Sequence, residues 1–464
     1  MTTSATTHRS TAHNLRTFLL IWLGQVFSLT GSGLTGFALG LWVYQQTGSV
    51  TQFAYISVAT LLPQMLLTPF AGALIDRWDR RLVMAVCNLV AGVTTCAFAW
   101  LNFSELLLVW HIYLGMSLIS CSNAFLLPAY YASTTLLVPQ DQRGRVNGMV
   151  QLGQAAAQIV APVLAGLLLV TIDISGILLL DFGSYLFALT TLLLVRIPRP
   201  EANAAQSGQS SLLGEVAYGW RYISERPGLL GLMLFITVSN FVLGIVSVLV
   251  TPLVMAIASP SVLGTVLSVG GCGMLIGSIV MSVWGGPNRR IAGVLGFMLL
   301  GGLFILIGGS APSPIVIGAA AFCFFFCLPI VNSCNIAIMQ SKVAVDVQGR
   351  VFAFSGMLAN LAMPVAFVVA GPLVDRVFEP LLAVRGPLAS TVGTVIGVGP
   401  GRGIGLLFML LGAAIALIVG GSYLYRPLRE IERELPDAED ASSGDKIAVV
   451  KAGPDGLVIV GSEG

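Results

Sequence analysis

Charge is what this chain has least of. Only 9% of its 464 residues are Asp, Glu, Lys or Arg, against roughly 25% in an ordinary soluble protein. That is too little to cover a water-facing surface. Lysine is scarcer still. Lys342, Lys446 and Lys451 are the only three, and none follows a glycine-rich phosphate-binding loop, so ATP hydrolysis by this chain is excluded. No serine-nucleophile elbow and no metal-spaced His/Cys cluster occurs, so neither enzymatic chemistry nor a cofactor is expected. The seven cysteines all fall inside apolar runs, which argues against disulfides. Arginines are scattered over many turns rather than gathered on one face, which argues against nucleic-acid binding.

What is abundant is apolar length. The chain is 56% hydrophobic, with a mean hydropathy of +0.90. A bilayer core of about 30 Å takes roughly 20 apolar residues per helix. About twelve such spans fit, near 16–45, 51–75, 82–102, 106–136, 145–171, 175–196, 228–256, 260–284, 291–309, 313–341, 350–376 and 403–425. They are continuously apolar without two-residue alternation, so an all-α integral membrane protein is expected rather than a barrel. Of the 23 Lys and Arg, all but Arg376, Arg385 and Arg402 fall on one side of these spans. The positive-inside rule then puts both termini in the cytoplasm of a multi-pass protein, with a bacterial plasma (inner) membrane as its expected site. The first span is too long for a signal-peptide core and is read as a retained helix.

The two halves repeat. Asp141-Gln-Arg-Gly-Arg145-Val opens the fifth span and Asp346-Val-Gln-Gly-Arg350-Val opens the eleventh, 205 residues later. At the same offset Ala165-Gly166 matches Ala370-Gly371, with Pro162 and Pro364 slightly upstream. Parallel six-helix repeats are a known transporter architecture. The expected domains are a cytoplasmic segment 1–15, a six-helix bundle 16–196, a linker 197–227, a second bundle 228–425 and a polar tail 426–464. In the linker, Leu212, Val216, Trp220 and Ile223 share one face, as in an amphipathic helix lying on the inner membrane surface. In the tail, two apolar stretches flank Ala-Gly-Pro-Asp-Gly, the pattern of a short hairpin.

Between the second and third spans stands Gly72-Ala-Leu-Ile-Asp76-Arg77-Trp-Asp-Arg80-Arg81. This segment resembles the loop signature of the major facilitator superfamily. Leu23-Gly-Gln25, Ser28-Leu-Thr-Gly31-Ser32-Gly33, Asp181-Phe-Gly-Ser184, Arg221-Tyr-Ile-Ser-Glu-Arg-Pro227 and Asp375-Arg-Val-Phe-Glu-Pro380 resemble its macrolide-efflux and enterobactin-exporter-like branch. The resemblance covers about residues 15–425. It implies two pseudo-symmetric six-helix halves and assigns inner gating to Gly72, Asp76, Arg77, Arg80 and Arg81. Arg145 and Arg350, at matching positions of the two repeats, join this set. The alternative for the arginines is topological anchoring. Three departures stand out: the fourth span has no arginine, the fifth reads Ala161-Pro162-Val-Leu-Ala165-Gly166, and Gly285-Gly-Pro-Asn-Arg289-Arg290 keeps the arginine pair but loses the acid. Pro162, Ala165, Gly166, Pro364 and Gly371 are expected to serve close helix packing.

Asp181 is the only acid well inside an expected span. A charge there costs about 2.5–3.5 kcal/mol on insertion scales. A carboxyl that gains and loses a proton would tie transport to the proton gradient; the other reading is a structural bond to Ser184 or Tyr185. Gln151, Gln154 and Gln158 share a face of the fifth span, and Gln25, Ser28 and Ser32 share one of the first. Either stripe is a substrate path or a set of interhelical bonds worth on average about 0.6 kcal/mol each. Asn240, Asn332, Asn335 and Asn360 are the candidates of the second half. The expectation is a monomeric, proton-coupled exporter of amphipathic drugs or secondary metabolites, macrolide- or siderophore-like, working by alternating access. A lipid or lysolipid transporter of the same fold and a non-transporting membrane scaffold are the alternatives.

Overall fold

Among the described residues, twelve helices are long and apolar enough to cross a membrane. The computed structural model describes residues 3–75, 78–137, 143–195, 212–344, 347–434, 450–453 and 456–459. The first six spans are α1 (Thr3–Thr47), α2 (Val50–Ile75), α3 (Arg80–Phe103), α4 (Val109–Leu137), α5 (Arg143–Thr171) and α6 (Asp173–Leu194). After α7 (Leu212–Ser224) come α8 (Pro227–Met255), α9 (Pro260–Trp284), α10 (Arg290–Ser310), α11 (Pro314–Lys342) and α12 (Gln348–Leu373). A π-helical turn (Val374–Phe378) and two short helices, α13 (Glu379–Leu381) and α14 (Gly393–Ile396), lead to the twelfth span, α15 (Arg402–Leu424). Beyond it lie α16 (Arg426–Arg429), α17 (Ile431–Glu434) and a hairpin of β1 (Val450–Gly453) with β2 (Gly456–Ile459).

Local chemistry sets the helix boundaries. Proline occupies the first turn of α8, α9 and α11, where its missing N–H costs nothing. Asp79 caps α3, accepting from the N–H groups of Arg81 (3.0 Å) and Leu82 (3.3 Å). Gly285 ends α9 at a φ of +75°. The first helix begins well before the apolar span expected from about residue 16, because its polar N-terminal stretch is helical from Thr3.

The helices form two halves. In the first, α1 packs on α5 and α6, and α3 and α4 complete the bundle. In the second, α9, α10 and α11 pack in sequence, α15 lies on α10, and α12 lies on α8. The halves meet along two seams, α5 with α9 and α2 with α12. The 205-residue repeat relates α5 to α12, so it exchanges one seam for the other. The result is the pseudo-symmetric six-plus-six arrangement expected from the sequence. Large apolar side chains such as Trp100, Leu194, Val283 and Leu424 stay exposed on the outside, as a lipid-facing surface requires.

The bundle has two unlike ends. One gathers the starts of α3, α5, α8, α10 and α12 with Arg80, Arg143, Arg226, Arg290 and Arg350; it is called here the arginine-rich end. The other carries the α1–α2, α3–α4 and α5–α6 turns and the segment from Val374 to Gly401.

Candidate functional site

Asp181 is fully buried inside the first half, where α6 meets α1 and α3. Its carboxylate accepts from Ser184 Oγ (3.2 Å) and Thr95 Oγ1 (3.4 Å). Gly31 of α1 lies against it: a Cβ there would come within 2.6 Å of Asp181 Oδ1. One turn on, Tyr185 and Ser32 share a hydrogen bond of 2.8 Å. The acid therefore sits among hydroxyls. Gln25 and Ser28 are buried on the same helix, and Ser28 O accepts from Ser32 Oγ. Two side chains of the polar stripe of α1 are thus buried, and the third, Ser32, is half-buried and bonded to α6.

The stripe on α5 is placed differently. Gln151 and Gln158 are exposed, while Gln154 is half-buried and donates to Tyr131 Oη on α4 (3.0 Å). In the second half the asparagines gather. Asn240, Asn332 and Asn360 line one cavity of about 460 Å³, walled by Leu243, Met298, Phe304, Phe324, Phe325 and Met363 among others, with no charged side chain in the lining. Asn240 Nδ2 donates to Ala359 O (3.3 Å). Asn335 lines a smaller neighbouring cavity of about 200 Å³, and Ile236 borders both.

At the arginine-rich end Gly72 lies in the last turns of α2, whereas Asp76 and Arg77 fall outside the described residues. Arg80 donates to Ala132 O near the end of α4 (2.8 Å). Arg81 donates to Leu192 O (2.8 Å) and Leu193 O (2.7 Å) at the end of α6. Arg81 therefore satisfies carbonyls that the end of α6 leaves without partners, and both arginines bind the first half to itself. Arg145 is in the first turn of α5. Arg350 is exposed and lies over the ring of Tyr218 on α7, 5.4 Å from its centroid.

The packing prolines and glycines lie on the seams. A Cβ on Gly166 would stand 2.8 Å from Pro260 O, at the start of α9. Gly264 of α9 would meet Pro162 O closer still, and Gly371 of α12 would meet the Thr51 backbone at the start of α2. Ala165 and Pro364 are buried beside them. Ser268 Oγ extends the α5–α9 seam by donating to Ile159 O (2.7 Å). These contacts all fall between the middle of the bundle and its arginine-poor end.

The Major Facilitator Superfamily profile matches residues 21–367. The chain belongs to that superfamily. It is 27% identical over 377 residues to macrolide efflux protein A of Streptococcus pyogenes, covering 78% of this chain and 90% of that one. It is 24% identical over 368 residues to the multidrug efflux pump Tap of Mycolicibacterium fortuitum, covering 77% and 89%. Among solved structures it resembles a bacterial homologue of the human lysosomal transporter Spinster in an inward-facing, unoccupied conformation. That match has a TM-score of 0.66 and 13% identity, and covers 90% of this chain and 98% of that one. The last comparison bears on fold alone. This superfamily member is a twelve-span membrane transporter, not an enzyme.

Two acids gain a role that the sequence did not assign. Asp375, beyond α12, accepts from Ser49, Val50 and Thr51 across the α2–α12 seam. Glu432 in α17 accepts from the N–H groups of Arg290 (2.9 Å) and Ile291 (3.1 Å), capping α10 from the far side of the last span. For Asp375 the signal was present but unread: Gly48-Ser-Val-Thr is a helix start lacking an acid in its own first turn. For Glu432 the partner is 142 residues away and no local pattern announces it.

Proposed function

We propose that this chain is a secondary active exporter of weakly charged amphipathic compounds, with the cargo engaged in the second half. The observation that carries the reading is the 460 Å³ cavity, where three asparagine amides face apolar walls with no charged side chain in the lining. Such a surface suits a molecule with a few polar groups on a large apolar body, since amides orient it without demanding a counter-charge. The similarity to macrolide efflux protein A and Tap supports the direction of transport and the substrate class. In this reading the arginine-rich end is cytoplasmic, both termini lie inside a bacterial plasma membrane, the protein acts as a monomer, and Asp181 carries the proton that couples transport to the gradient.

The test is drug uptake into everted vesicles under an imposed pH gradient. Uptake of a macrolide or another amphipathic dye is expected in vesicles that carry the protein and not in empty ones. Asn240→Ala and Asn332→Ala are expected to raise KM severalfold with little change in maximal rate, the pattern of lost ground-state binding. No gradient-dependent uptake of any amphipathic probe, or unchanged KM in both variants, would remove the reading.

A further inference from the structure

The two seams at the arginine-poor end are related by the internal repeat, yet among the described residues a carboxylate bonds across only the α2–α12 seam. Asp375 stands in the π-helical turn that follows α12. Its side chain accepts from Ser49 Oγ (2.8 Å), Val50 N–H (3.1 Å), Thr51 N–H (2.9 Å) and Thr51 Oγ1 (2.7 Å). The donors belong to the start of α2, in the first half; the acceptor belongs to the second. The first N–H groups of a helix have no partner within it, and its dipole is positive there, so a carboxylate suits the position. Position 170, the repeat equivalent of Asp375, is a valine with 74% of its surface exposed. At the equivalent helix start, the hydroxyls of Ser259 and Ser261 bond each other, at 2.9 Å.

We propose that Asp375 is the latch that holds the two halves together at the arginine-poor end, a gating residue at the opposite end of the molecule from the start of α3. All four bonds share one carboxylate and need α12 hard against α2, which the glycine at position 371 permits. A separation of a few ångström breaks them together. A contact present in only one of two states shifts their populations by its full differential strength. Single π-helical turns recur at functional positions, where the extra residue re-aims a side chain; here it directs Asp375 to the start of α2. The inference rests on the alternating-access reading but not on any substrate.

Hydrogen–deuterium exchange of the full-length protein in detergent tests it without cargo. In Asp375→Asn, exchange is expected to rise roughly tenfold, within the usual range for site coupling, in two separate segments, 49–55 and 260–268. The second segment is the start of α9, which Asp375 does not touch, so its response reports opening of the whole end. Thr51→Val removes one hydroxyl donor and leaves the backbone bonds, and a smaller rise in both segments is expected. If Asp375→Asn fails to fold, this milder variant decides by the same criterion. A rise confined to 49–55, or no rise, would reduce Asp375 to a local helix cap and overturn the latch. Failure of drug uptake with both segments responding would count against the exporter reading alone.

Discussion

Gly166 and Gly264 stand on facing helices, each so near the other helix's backbone that neither has room for a methyl group. Overpacking a tight contact costs about 1–3 kcal/mol, and this contact exists only while the halves are closed at the arginine-poor end. Gly264→Leu is therefore expected to disfavour that state and to slow transport by roughly tenfold or more. Steady-state drug uptake in vesicles, with the amount of folded protein checked by gel filtration, measures it. Undiminished transport would mean that the seam does not close in the cycle.

Asp181 sits among hydroxyls, bonded to Thr95 and Ser184. Asp181→Asn preserves size and most of the hydrogen bonding but cannot carry a proton. Substrate exchange across the membrane without a gradient is expected to persist, while accumulation driven by a pH gradient is lost. A variant that still concentrates drug against its gradient would confine Asp181 to a packing role.

Arg81 joins the start of α3 to the end of α6 through two carbonyls. Hydrogen bonds to a charged group contribute about 1.5–3 kcal/mol each, less where water can replace them. Arg81→Ala is expected to lower the thermal midpoint in detergent by several degrees. Arg350→Ala, which among the described residues loses a distant contact with Tyr218, is expected to shift it far less. Equal shifts would show that the geometry at these two positions does not set their contributions.

The tail up to Glu434 packs on the bundle. Glu432 caps α10, Lys342 Nζ donates to Glu432 O (3.0 Å), and Leu428 and Ile431 are buried. Removing a cap costs about 0.5–2 kcal/mol. Truncation after Glu434 is expected to leave export and melting temperature intact, whereas truncation after Tyr425 lowers the melting temperature. Loss of export on truncation after Glu434, with the melting temperature unchanged, would instead favour a recruiting role for residues 435–464.

Much of the architecture was legible because the bilayer imposes it. Length and hydropathy located twelve spans, and the 205-residue repeat paired the fifth span with the eleventh, each of which forms one of the two seams. Gly166 and Gly371 matched in sequence, and they meet equivalent helix starts, near Ser261 and Thr51. The site was less legible. Helical spacing put Gln25, Ser28 and Ser32 on one face but could not say that the face turns toward α6, since polar stripes fit a packed interior as well as a path. Asn240, Asn332 and Asn360 lie on three different helices, and nothing in the sequence joins them into one cavity. Asp375 looked like an ordinary acid at a span's edge, because its partners lie 324–326 residues away.

The absence of an acid at Val170 has a mechanical consequence. Two copies of one ancestral design do not part like matched doors. On the proposal made above, the α5–α9 interface, joined by close packing and the Ser268–Ile159 hydrogen bond, parts without breaking a charged contact, whereas the α2–α12 interface must first give up a charged clasp. With Asp375 as the proposed latch, motion at that face of the bundle would be a hinge with one sticky edge, and the dwell time of the sealed form would be set mainly on that side.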